Sequence, residues 1–576
     1  MLRDLVYKYA LHNAYSHGGK AQPKAVLGKI LAEKPELRSQ ARELAALASE
    51  IVEEVNRLSL DEQLKILRER WPELLERKKV VERKVLPPLP EAERFSRIVT
   101  RFAPNPDCVL HLGSARAAVL SWAYADMYHG KFILRFEDTD PRGKRPQLEF
   151  YDSIREDLEW LGCKWNEEHI QSLRLPIYYE WAGKLLGLGG AYVCTCKPER
   201  FRELVAAGKP CPCRELPAET HLERWEKMLN GEYGEGEAVV RVKTDLTHPN
   251  PAVRDWPALR IVDTRRTPHP LVGDKYHVWP LYNFSCGVDD HLLGITHIIR
   301  GKEHLANEVR QRYLYRHLGW DYPLTVHYGR LSMADALLSK SKIKAGVEAG
   351  EFEGYDDPRL ATLRSLRRRG ITPEAIRELM LNVGVKAADV SISWENLYAY
   401  NRKILDPKAD RYFFVAKPIL LEVSGVAKTY HSKQPKHPDY PERGYRILEV
   451  KPDSQGIARL LVSSLDLELF KAGRMVRLRN LFNVWIRDVG EKTVSAEFAG
   501  EDYGEARRQE APIIHFLPEG FGVKAEVLMP NASKVEGLAE EECRKLRSGQ
   551  VVQLERFGFA RVEALAPILR FIFAHD

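Results

Sequence analysis

A histidine, a glycine and a serine stand together where a predicted strand is followed by a predicted helix. His111, Gly113 and Ser114 come at the end of the turn formed by residues 103–110. A histidine ring can donate a hydrogen bond to a phosphate oxygen, and a glycine lets the backbone approach a ligand closely. The free N–H groups at the beginning of a helix favour the same kind of anion. These residues therefore predict a phosphate-binding turn.

The elements that must position this turn form one βαβ unit. The apolar residues 97–102 predict a buried strand, residues 115–128 predict a helix that stops at Gly130, and residues 131–136 predict a second strand. A crossover between two parallel strands puts the turn at the carboxyl edge of the sheet, where α/β folds bind their ligands.

A second basic stretch lies far along the chain. Residues 337–342 read Leu-Leu-Ser-Lys-Ser-Lys, with Lys340 between two serines. Taken alone, such a lysine is typical of a solvated loop. Its position, well C-terminal to His111, is the one expected of a loop that returns to the same phosphate site. The two stretches occurring in this order are a far more specific signal for a phosphate site than either stretch alone.

Two further strand ends carry charged residues. The strand over residues 131–136 ends in Glu137-Asp138-Thr139-Asp140, and carboxylates at such an end face the ligand crevice. A solvated acidic turn is the alternative. A later apolar strand ends at Arg300, and a charged group in that position needs an anionic partner.

These stretches resemble the signatures of one enzyme family. Residues 104–114 resemble the HIGH motif of class I aminoacyl-tRNA synthetases, and the Arg-Phe-Ala-Pro-Asn-Pro form that begins at Arg101 looks like the archaeal type of glutamyl-tRNA synthetase. Residues 280–301 are a long match to the same family, and residues 337–342 resemble its KMSKS loop. The resemblance extends from about residue 91 to the end of the chain.

The resemblance implies an activity and its site residues. L-Glutamate would react with ATP, used with Mg²⁺, to form glutamyl-adenylate, and the glutamyl group would pass to the 3′ end of tRNA-Glu. Whether tRNA-Gln is also charged stays open. The implied catalytic residues are His111 and Lys340. The implied ATP-binding residues are Pro104, Asn105, His111, Gly113, Ser114, Ser339, Lys340 and Ser341. The implied glutamate-binding residues are Arg101, Glu137, Tyr282 and Arg300.

Three positions depart from the family pattern. Ser114 replaces the second histidine of HIGH, and Leu337 replaces the first lysine of KMSKS, so that Lys340 carries the charge. Cys286 occupies a pocket position where bacterial relatives carry asparagine. The contacts made by those residues in relatives therefore cannot be transferred to this chain.

Four of the eight cysteines form two C-x-C pairs, Cys194 with Cys196 and Cys211 with Cys213. Four thiolates can hold one tetrahedral Zn²⁺, so we expect a structural zinc site; four unligated thiols are the alternative. By resemblance, this part of the chain is the acceptor-stem-binding insertion.

The predicted fold is multidomain. It comprises an N-terminal helical appendage (1–90), the first half of an α/β Rossmann-type catalytic domain (91–190), an α+β insertion (191–265), the second catalytic half with the SKS loop (266–405) and an anticodon-binding region of β-barrels (406–576). In the appendage, Ser59 and Glu62 predict a capping box. Residues 85–90, rich in proline, predict a stiff linker.

The composition is that of a water-soluble globular protein. A net charge of +7 permits a polyanionic partner, and 44% hydrophobic residues allow sizeable cores. The N-terminus lacks the apolar segment of a signal peptide, and no stretch is long enough to span a membrane. We therefore expect a cytoplasmic protein without a membrane partner, and a monomer.

Three other functions remain as alternatives. A glutaminyl-tRNA synthetase shares the fold and the barrels, but usually has a second proline where this chain has Ala103. A tRNA-modifying glutamylating paralogue would lack the C-terminal half. A non-catalytic tRNA-binding paralogue would be expected to have lost His111 or Lys340, and both are present.

Overall fold

The computed structural model describes residues 2–16, 19–34, 37, 40–71 and 86–576. The chain divides into two compact units, Met1–Arg83 and Lys84–Asp576. The predicted linker and the predicted first domain fall partly outside the described residues, since residues 72–85 are not described.

The first unit is helical, as expected. Its helices are α1 (Leu2–Ser16), α2 (Pro23–Glu33), α3 (Ala41–Arg57) and α4 (Leu60–Arg70). The predicted capping box is confirmed, because the Ser59 side chain accepts from the Glu62 N–H and the Glu62 carboxylate accepts from the Ser59 N–H. The core of this unit contains Val6, Leu44, Ile51 and Leu67.

The second unit begins with the predicted βαβ unit and one more strand. The elements are β1 (Val99–Phe102), α5 (Leu112–Met127), β2 (Lys131–Phe136), α6 (Leu148–Trp160), β3 (Glu167–Ile170) and α7 (Leu175–Gly187). The three strands are parallel in the order β1-β2-β3, with Val99 opposite Lys131 and Ile133 opposite Glu167.

The helix of the βαβ unit is longer at its start than predicted. α5 begins at Leu112 rather than at residue 115, because His111 caps it, and it ends at Met127. Gly130 follows the left-handed residue His129, and a Cβ there would lie 2.2 Å from the Ile98 carbonyl oxygen. Position 130 therefore requires glycine, because the backbone there lies against Ile98, the residue just before β1.

The insertion is an antiparallel sheet with two helices. Its elements are β4 (Ala191–Cys194), α8 (Pro198–Ala206), α9 (Ala218–Leu229), β5 (Val239–Val242), β6 (Pro257–Ile261) and β7 (Val278–Pro280). The strand order is β4-β5-β6-β7. The predicted end of this domain at residue 265 stays a prediction, although β7 completes the sheet beyond it.

The chain then forms two further parallel sheets of two strands each. The elements are α10 (Tyr282–Leu292), β8 (His297–Gly301), α11 (Leu305–Leu318), β9 (Leu324–Tyr328), β10 (Leu331–Met333), α12 (Lys340–Glu348), α13 (Leu363–Arg369), α14 (Pro373–Val383), β11 (Val390–Ile392) and α15 (Trp394–Leu405). β8 and β9 are parallel, as are β10 and β11. Thr296 connects β8 to β1, because its N–H donates to the Val99 carbonyl at 3.0 Å and its hydroxyl accepts from the Val99 N–H at 2.9 Å.

The last third of the second unit consists of β-sheet, as predicted. Its elements are β12 (Arg411–Tyr412), β13 (Phe414–Ala416), β14 (Pro418–Ser424), β15 (Tyr430–Pro435), β16 (Tyr445–Val450), β17 (Ala458–Ser463), β18 (Met475–Leu478), β19 (Asn483–Val489), β20 (Thr493–Phe498), α16 (Tyr503–Arg508), β21 (Ile513–Ile514), β22 (Leu517–Pro518), β23 (Val523–Leu528), β24 (Lys534–Ala539), β25 (Val551–Leu554), β26 (Gly558–Ala564) and β27 (Leu569–His575).

The two large sheets of this region are barrel-like. One has the order β12-β25-β26-β27-β23-β24-β13, and the other β21-β18-β19-β20-β14-β17-β22. In each sheet the two edge strands follow one another closely in sequence, so the sheet curves back to meet itself. Phe413 connects the edge strands β12 and β13 of the first sheet, and residues 515–516 connect the edge strands β21 and β22 of the second. These two connections contact one another, since the rings of Phe413 and His515 lie 5.4 Å apart.

The described part of the predicted linker is not a free spacer. Leu86 and Leu89 are buried against α5, and the Tyr124 hydroxyl donates to the Pro87 carbonyl at 3.1 Å. The linker prediction is therefore wrong for these residues, because their apolar side chains pack on the second unit. No helix within the described ranges is long and apolar enough to cross a bilayer.

Candidate active site

A cleft of about 680 Å³ opens at the carboxyl ends of β1, β2 and β8. Ten of the twelve residues predicted to bind ATP or glutamate line it, namely Arg101, Pro104, Asn105, His111, Gly113, Ser114, Glu137, Tyr282, Arg300 and Lys340. Two do not, Ser339 and Ser341, whose hydroxyls lie 3.3 Å apart. We call Asn105, His111, Gly113 and Lys340 the signature end of the cleft. We call Arg101, Glu137, Tyr282 and Arg300 its arginine end.

The His111 ring is held by the helix that it begins. His111 is the N-cap of α5, and its Nδ1 accepts a hydrogen bond from the Ser114 N–H at 3.3 Å. A neutral ring that accepts at Nδ1 carries its proton on Nε2. Burial, and secondly Lys340, lower the pKa of His111 to about 4. The ring is therefore a neutral hydrogen-bond donor at neutral pH.

The beginning of α5 offers fewer free amides than expected. The Leu112 N–H donates to the Ala361 carbonyl at 2.9 Å, and the Ser114 N–H is taken by His111. Of the N–H groups of Leu112, Gly113 and Ser114, only that of Gly113 has no partner in the part of the chain that the structure describes. A Cβ on Gly113 would lie 2.9 Å from the His111 ring, so glycine is needed for that ring position.

Lys340 connects the two signature stretches directly. Its amine donates to the Asn105 carbonyl at 2.9 Å and to an Asp107 carboxylate oxygen at 3.3 Å. Lys340 and Asn105 are 235 residues apart in sequence. The lysine stands at the beginning of α12, not within a loop, and the loop before it is formed by residues 334–339. One amine therefore bridges both stretches beside His111.

Arg101 is fixed by a buried carboxylate. Its Nε and Nη2 donate to the two oxygens of Asp290 at 3.2 and 3.3 Å. Burial raises the pKa of Asp290, but Arg101 and Arg135 outweigh burial and hold it well below its ordinary value. The Nη1 of Arg101 has no partner among the described residues, and Arg101 lines the cleft. The Arg101 guanidinium is therefore held in place by Asp290, and its Nη1 remains available to a ligand.

Arg135 is a functional residue that the sequence analysis missed. It is fully buried in β2, and it donates to Asp290 at 2.7 Å and to Glu137 at 2.9 Å. Burial raises the pKa of Glu137, and Arg135 partly offsets this. A charged residue within an apolar strand was the available signal, the same signal that drew attention to Arg300. Arg135 therefore orients the carboxylate of Glu137 at the cleft.

Arg300 is held by neutral groups. Its Nη1 donates to the Gln311 side-chain oxygen at 3.1 Å and its Nη2 to the Tyr322 hydroxyl at 2.9 Å. The expected anionic partner is more distant, since the Glu308 carboxylate lies 3.8 Å from the Arg300 guanidinium. Nearby, the Tyr282 hydroxyl lies 3.4 Å from His304 Nδ1.

Two residues lie elsewhere than expected. Asp138 does not line the cleft; it is fully buried and accepts from the Tyr151 hydroxyl and the Ser172 hydroxyl, both at 2.6 Å. Cys286 lies behind the pocket, not in it, with its sulfur 3.2 Å from Arg135 Nη2 and 3.4 Å from Asp290. In both cases polar partners on neighbouring elements hold the side chain inside the protein.

The four cysteines of the insertion come together. Their sulfur atoms all lie within 4.8 Å of one another, with 3.9 Å between Cys194 and Cys211 and 3.8 Å between Cys196 and Cys213. A tetrahedral zinc with bonds of about 2.3 Å places its sulfurs about 3.8 Å apart. An Arg224 nitrogen donates to the Cys213 sulfur at 3.3 Å, which suits a negatively charged thiolate. The donor set therefore fits a structural zinc.

Comparison with known proteins gives the family. The chain matches the family model described as tRNA synthetases class I (E and Q), catalytic domain, over residues 97–407, and two models of the anti-codon binding domain of the same class over residues 409–499 and 513–563. It is 57% identical to the glutamate–tRNA ligase of Thermococcus kodakarensis over 100% of this chain and 99% of that protein.

Two further proteins are similar. The glutamate–tRNA ligase of Pyrococcus abyssi is 56% identical over 97% of each chain. A crystal structure of a glutamate tRNA ligase from Elizabethkingia meningosepticum in complex with its amino acid is 23% identical, with a TM-score of 0.40, over 54% of this chain and 70% of that one. From the family models and the full-length relatives, the chain belongs to the class I tRNA synthetases for glutamate and glutamine, and within them to the archaeal type of glutamate–tRNA ligase.

Proposed function

We propose that this enzyme activates L-glutamate with ATP in the cleft described above and transfers it to the 3′ end of tRNA-Glu. The chain is a class I aminoacyl-tRNA synthetase with the sequence of a glutamate–tRNA ligase. One observation carries the assignment of the site. The Lys340 amine donates to Asn105 beside His111, in a cleft that Arg101 and Arg300 also line.

The first reaction is an in-line displacement at the α-phosphorus of ATP. A glutamate α-carboxylate oxygen forms a bond to phosphorus while the bond to the pyrophosphate oxygen breaks, so the products are glutamyl-adenylate and pyrophosphate. No nucleophilic side chain is required. ATP brings Mg²⁺ with it as part of this substrate. The protein contributes orientation and charge stabilisation, which are the main sources of catalysis in such a step.

The signature end suits the phosphates. The neutral His111 ring has Nε2–H to donate, and the free Gly113 N–H is adjacent. The Lys340 amine would exchange Asp107 for the leaving pyrophosphate, because both offer oxygen anions to an ammonium group. Its remaining bond to the Asn105 carbonyl would keep the amine in place during that exchange.

The arginine end suits the amino acid. Glu137 gives one carboxylate oxygen to Arg135, and its other oxygen is available to the substrate ammonium group. The free Nη1 of Arg101 and the guanidinium of Arg300 would bind the γ-carboxylate, and Tyr282 would pack beside the side chain. Arginine is suited to this role because it contacts both oxygens of a carboxylate at once.

The second reaction transfers the glutamyl group to tRNA. A hydroxyl oxygen of the terminal ribose forms an ester bond to the glutamyl carbonyl carbon, and the bond to AMP breaks. The barrel-like sheets match anticodon-binding domains, and the insertion would bind the acceptor stem. We propose that tRNA-Glu is the substrate and that tRNA-Gln is charged with glutamate as well, by a monomeric enzyme in the cytoplasm.

The alternative functions are less well supported. Against a glutaminyl-tRNA synthetase, the relatives from Thermococcus kodakarensis and Pyrococcus abyssi, which match nearly the whole chain, are glutamate–tRNA ligases. A non-catalytic paralogue would not be expected to keep Lys340 in contact with the first signature.

The cysteine cluster supports a structural zinc in the insertion, held by Cys194, Cys196, Cys211 and Cys213. A bound zinc would fold this part of the insertion and take no part in the reaction. We expect about one zinc per chain in the purified protein by elemental analysis, because four thiolates form one closed site. A Cys211→Ser variant should lose the metal and charge tRNA less efficiently. Protein without zinc that charges tRNA at the normal rate would contradict this proposal.

Aminoacylation of purified tRNA tests the function most simply. Wild-type enzyme is incubated with ATP, Mg²⁺ and either glutamate or glutamine, on tRNA-Glu and separately on tRNA-Gln. We expect glutamate on tRNA-Glu, glutamate on tRNA-Gln, and no glutamine on either. Charging with glutamine, or no charging at all, would overturn the proposal. Charging of tRNA-Glu alone would show that tRNA-Gln is not a substrate of this enzyme.

A further inference from the structure

The arginine end of the cleft contains one more cation than anions. The charged groups of this end and of the buried layer directly behind it are three guanidiniums, Arg101, Arg135 and Arg300, and two carboxylates, Asp290 and Glu137. Asp290 lies between Arg101 and Arg135, and Glu137 is bound to Arg135. Arg300 is therefore the guanidinium that has no carboxylate of its own.

The groups around Arg300 compensate its charge only in part. Glu308 is 3.8 Å away, but its carboxylate is bound to Arg312 at 2.8 Å and to His327 Nε2 at 2.6 Å. His304 adds no charge, because burial, followed by Arg300, lowers its pKa to about 4. Glu303 also lines the cleft but is exposed, where water screens it.

Gln311 is the side chain that holds Arg300 in place. Its oxygen accepts from Arg300 Nη1 at 3.1 Å and from the Tyr322 hydroxyl at 2.7 Å, and that hydroxyl in turn accepts from Arg300 Nη2. Gln311 is fully buried, and its own NH₂ group has no partner among the described residues.

A glutamate in this position could hold Arg300 in the same way. It has the same shape, it would accept both hydrogen bonds and it would pair with Arg300, while its second oxygen would take the place of the unpaired NH₂ group. The two residues therefore differ chiefly in charge. A neutral acceptor fixes the geometry of Arg300 without supplying the negative charge that the substrate brings.

We propose that Gln311 is a specificity-determining residue, which positions Arg300 while keeping one positive charge for the γ-carboxylate of glutamate. This proposal rests on the proposed function. Glutamate has a net charge of −1 and balances the pocket, whereas glutamine is neutral and does not. The preference for glutamate thus depends on the absence of a carboxylate at residue 311 as much as on the presence of Arg300.

Two substitutions separate charge from positioning. Gln311→Glu keeps the shape and removes the surplus charge, whereas Gln311→Met removes the hydrogen bonds and keeps the charge. Glutamate- and glutamine-dependent ATP–pyrophosphate exchange are measured with tRNA-Glu present, in the same preparation of each variant. For Gln311→Glu we expect the KM for glutamate to rise at least about 30-fold and the glutamate-to-glutamine preference to fall by a similar factor. The reason is that Arg300 would already be paired with the new carboxylate and would no longer offer its charge to the ligand.

Gln311→Met should raise the KM for glutamate less and keep the preference, and the KM for ATP should stay unchanged in both variants. The preference is a ratio within one preparation, so misfolded protein cannot alter it. An unchanged preference in Gln311→Glu, or an equal loss of preference in both variants, would overturn the role of Gln311 and leave the proposed function intact. A wild-type chain without glutamate-dependent exchange would overturn both proposals.

Discussion

The two ends of the cleft are built in different ways. At the signature end, the charged groups are partly exposed, and Lys340 and Asp107 keep 25% and 21% of their side-chain surface accessible. At the arginine end, Arg135 and Asp290 keep 0% and 1%. The first end depends on single contacts that a ligand can replace. The second is a buried network whose ion pairs around Asp290 are formed before any ligand arrives, and it leaves the guanidinium of Arg300 to neutral partners.

This difference indicates what each end contributes. A partly exposed ion pair contributes less to stability than a buried one, so the signature end is free to change partners during the reaction. Removing one partner of a buried ion pair leaves a charge uncompensated, so the arginine end is tied to the stability of the fold. We therefore expect changes at the signature end to affect rate, and changes at the arginine end to affect folding and amino-acid selection.

The largest effect should come from the carboxylate shared by two arginines. Asp290→Asn leaves the guanidiniums of Arg101 and Arg135 buried with too little negative charge, and breaking such a pair costs about 3–5 kcal/mol of stability. Calorimetry should show a markedly lower Tm for the transition of the catalytic domain. An unchanged Tm would mean that the network does not support the fold.

Lys340→Ala should slow adenylate formation about 100-fold, since one charge-stabilising contact in the transition state contributes about 3 kcal/mol. Its Tm should barely change, in contrast to Asp290→Asn. The measurement is ATP–pyrophosphate exchange with and without tRNA-Glu.

The matched control for this experiment is Lys342→Ala, two residues along the same helix, which is exposed and does not line the cleft. This variant should behave like the wild type. Near-normal exchange by Lys340→Ala would remove that residue from the reaction.

Arg300→Lys tests amino-acid selection. Lysine keeps the charge but cannot donate to Gln311, Tyr322 and a ligand carboxylate in the same planar arrangement, so we expect the KM for glutamate to rise about tenfold. The KM for ATP should change much less. Equal changes in both constants would refute the assignment of Arg300 to the amino acid.

The smallest effect concerns pH at the signature end. An ordinary histidine gains its proton near pH 6.5, but the lowered pKa of His111, about 4, keeps it neutral at higher pH. The KM for ATP should therefore change less than about twofold between pH 8 and pH 6. It should increase only as the pH approaches the lowered pKa of His111. A transition near pH 6.5 that disappears in His111→Asn would show that this ring titrates normally.

Most of the signature end could be predicted from the sequence because three of its four residues, Asn105, His111 and Gly113, are local. His111 and Gly113 follow a strand and begin a helix, and those elements have periodicities that the sequence displays. The structure agrees with the βαβ unit that this reasoning predicted. Lys340 was also predicted to join them, although not as the first residue of a helix.

The arginine end could be predicted only in part, because its contacts join distant residues. Arg135 and Asp290 are 155 residues apart, and Arg101 and Asp290 are 189 apart. Nothing in the local pattern indicates which buried charge meets which. Gln311 was missed for a related reason, since a glutamine on a helix has no distinguishing spacing. Its role appears only once Arg300 and Tyr322 are seen to share its oxygen.

A crystal structure with a non-hydrolysable glutamyl-adenylate analogue would test the central claim most directly. The account predicts that the γ-carboxylate contacts Arg101 and Arg300, that the ammonium group contacts Glu137, and that the phosphate lies within hydrogen-bond distance of His111 or Gly113. An analogue that binds outside this cleft, or that binds with its γ-carboxylate away from both arginines, would contradict it.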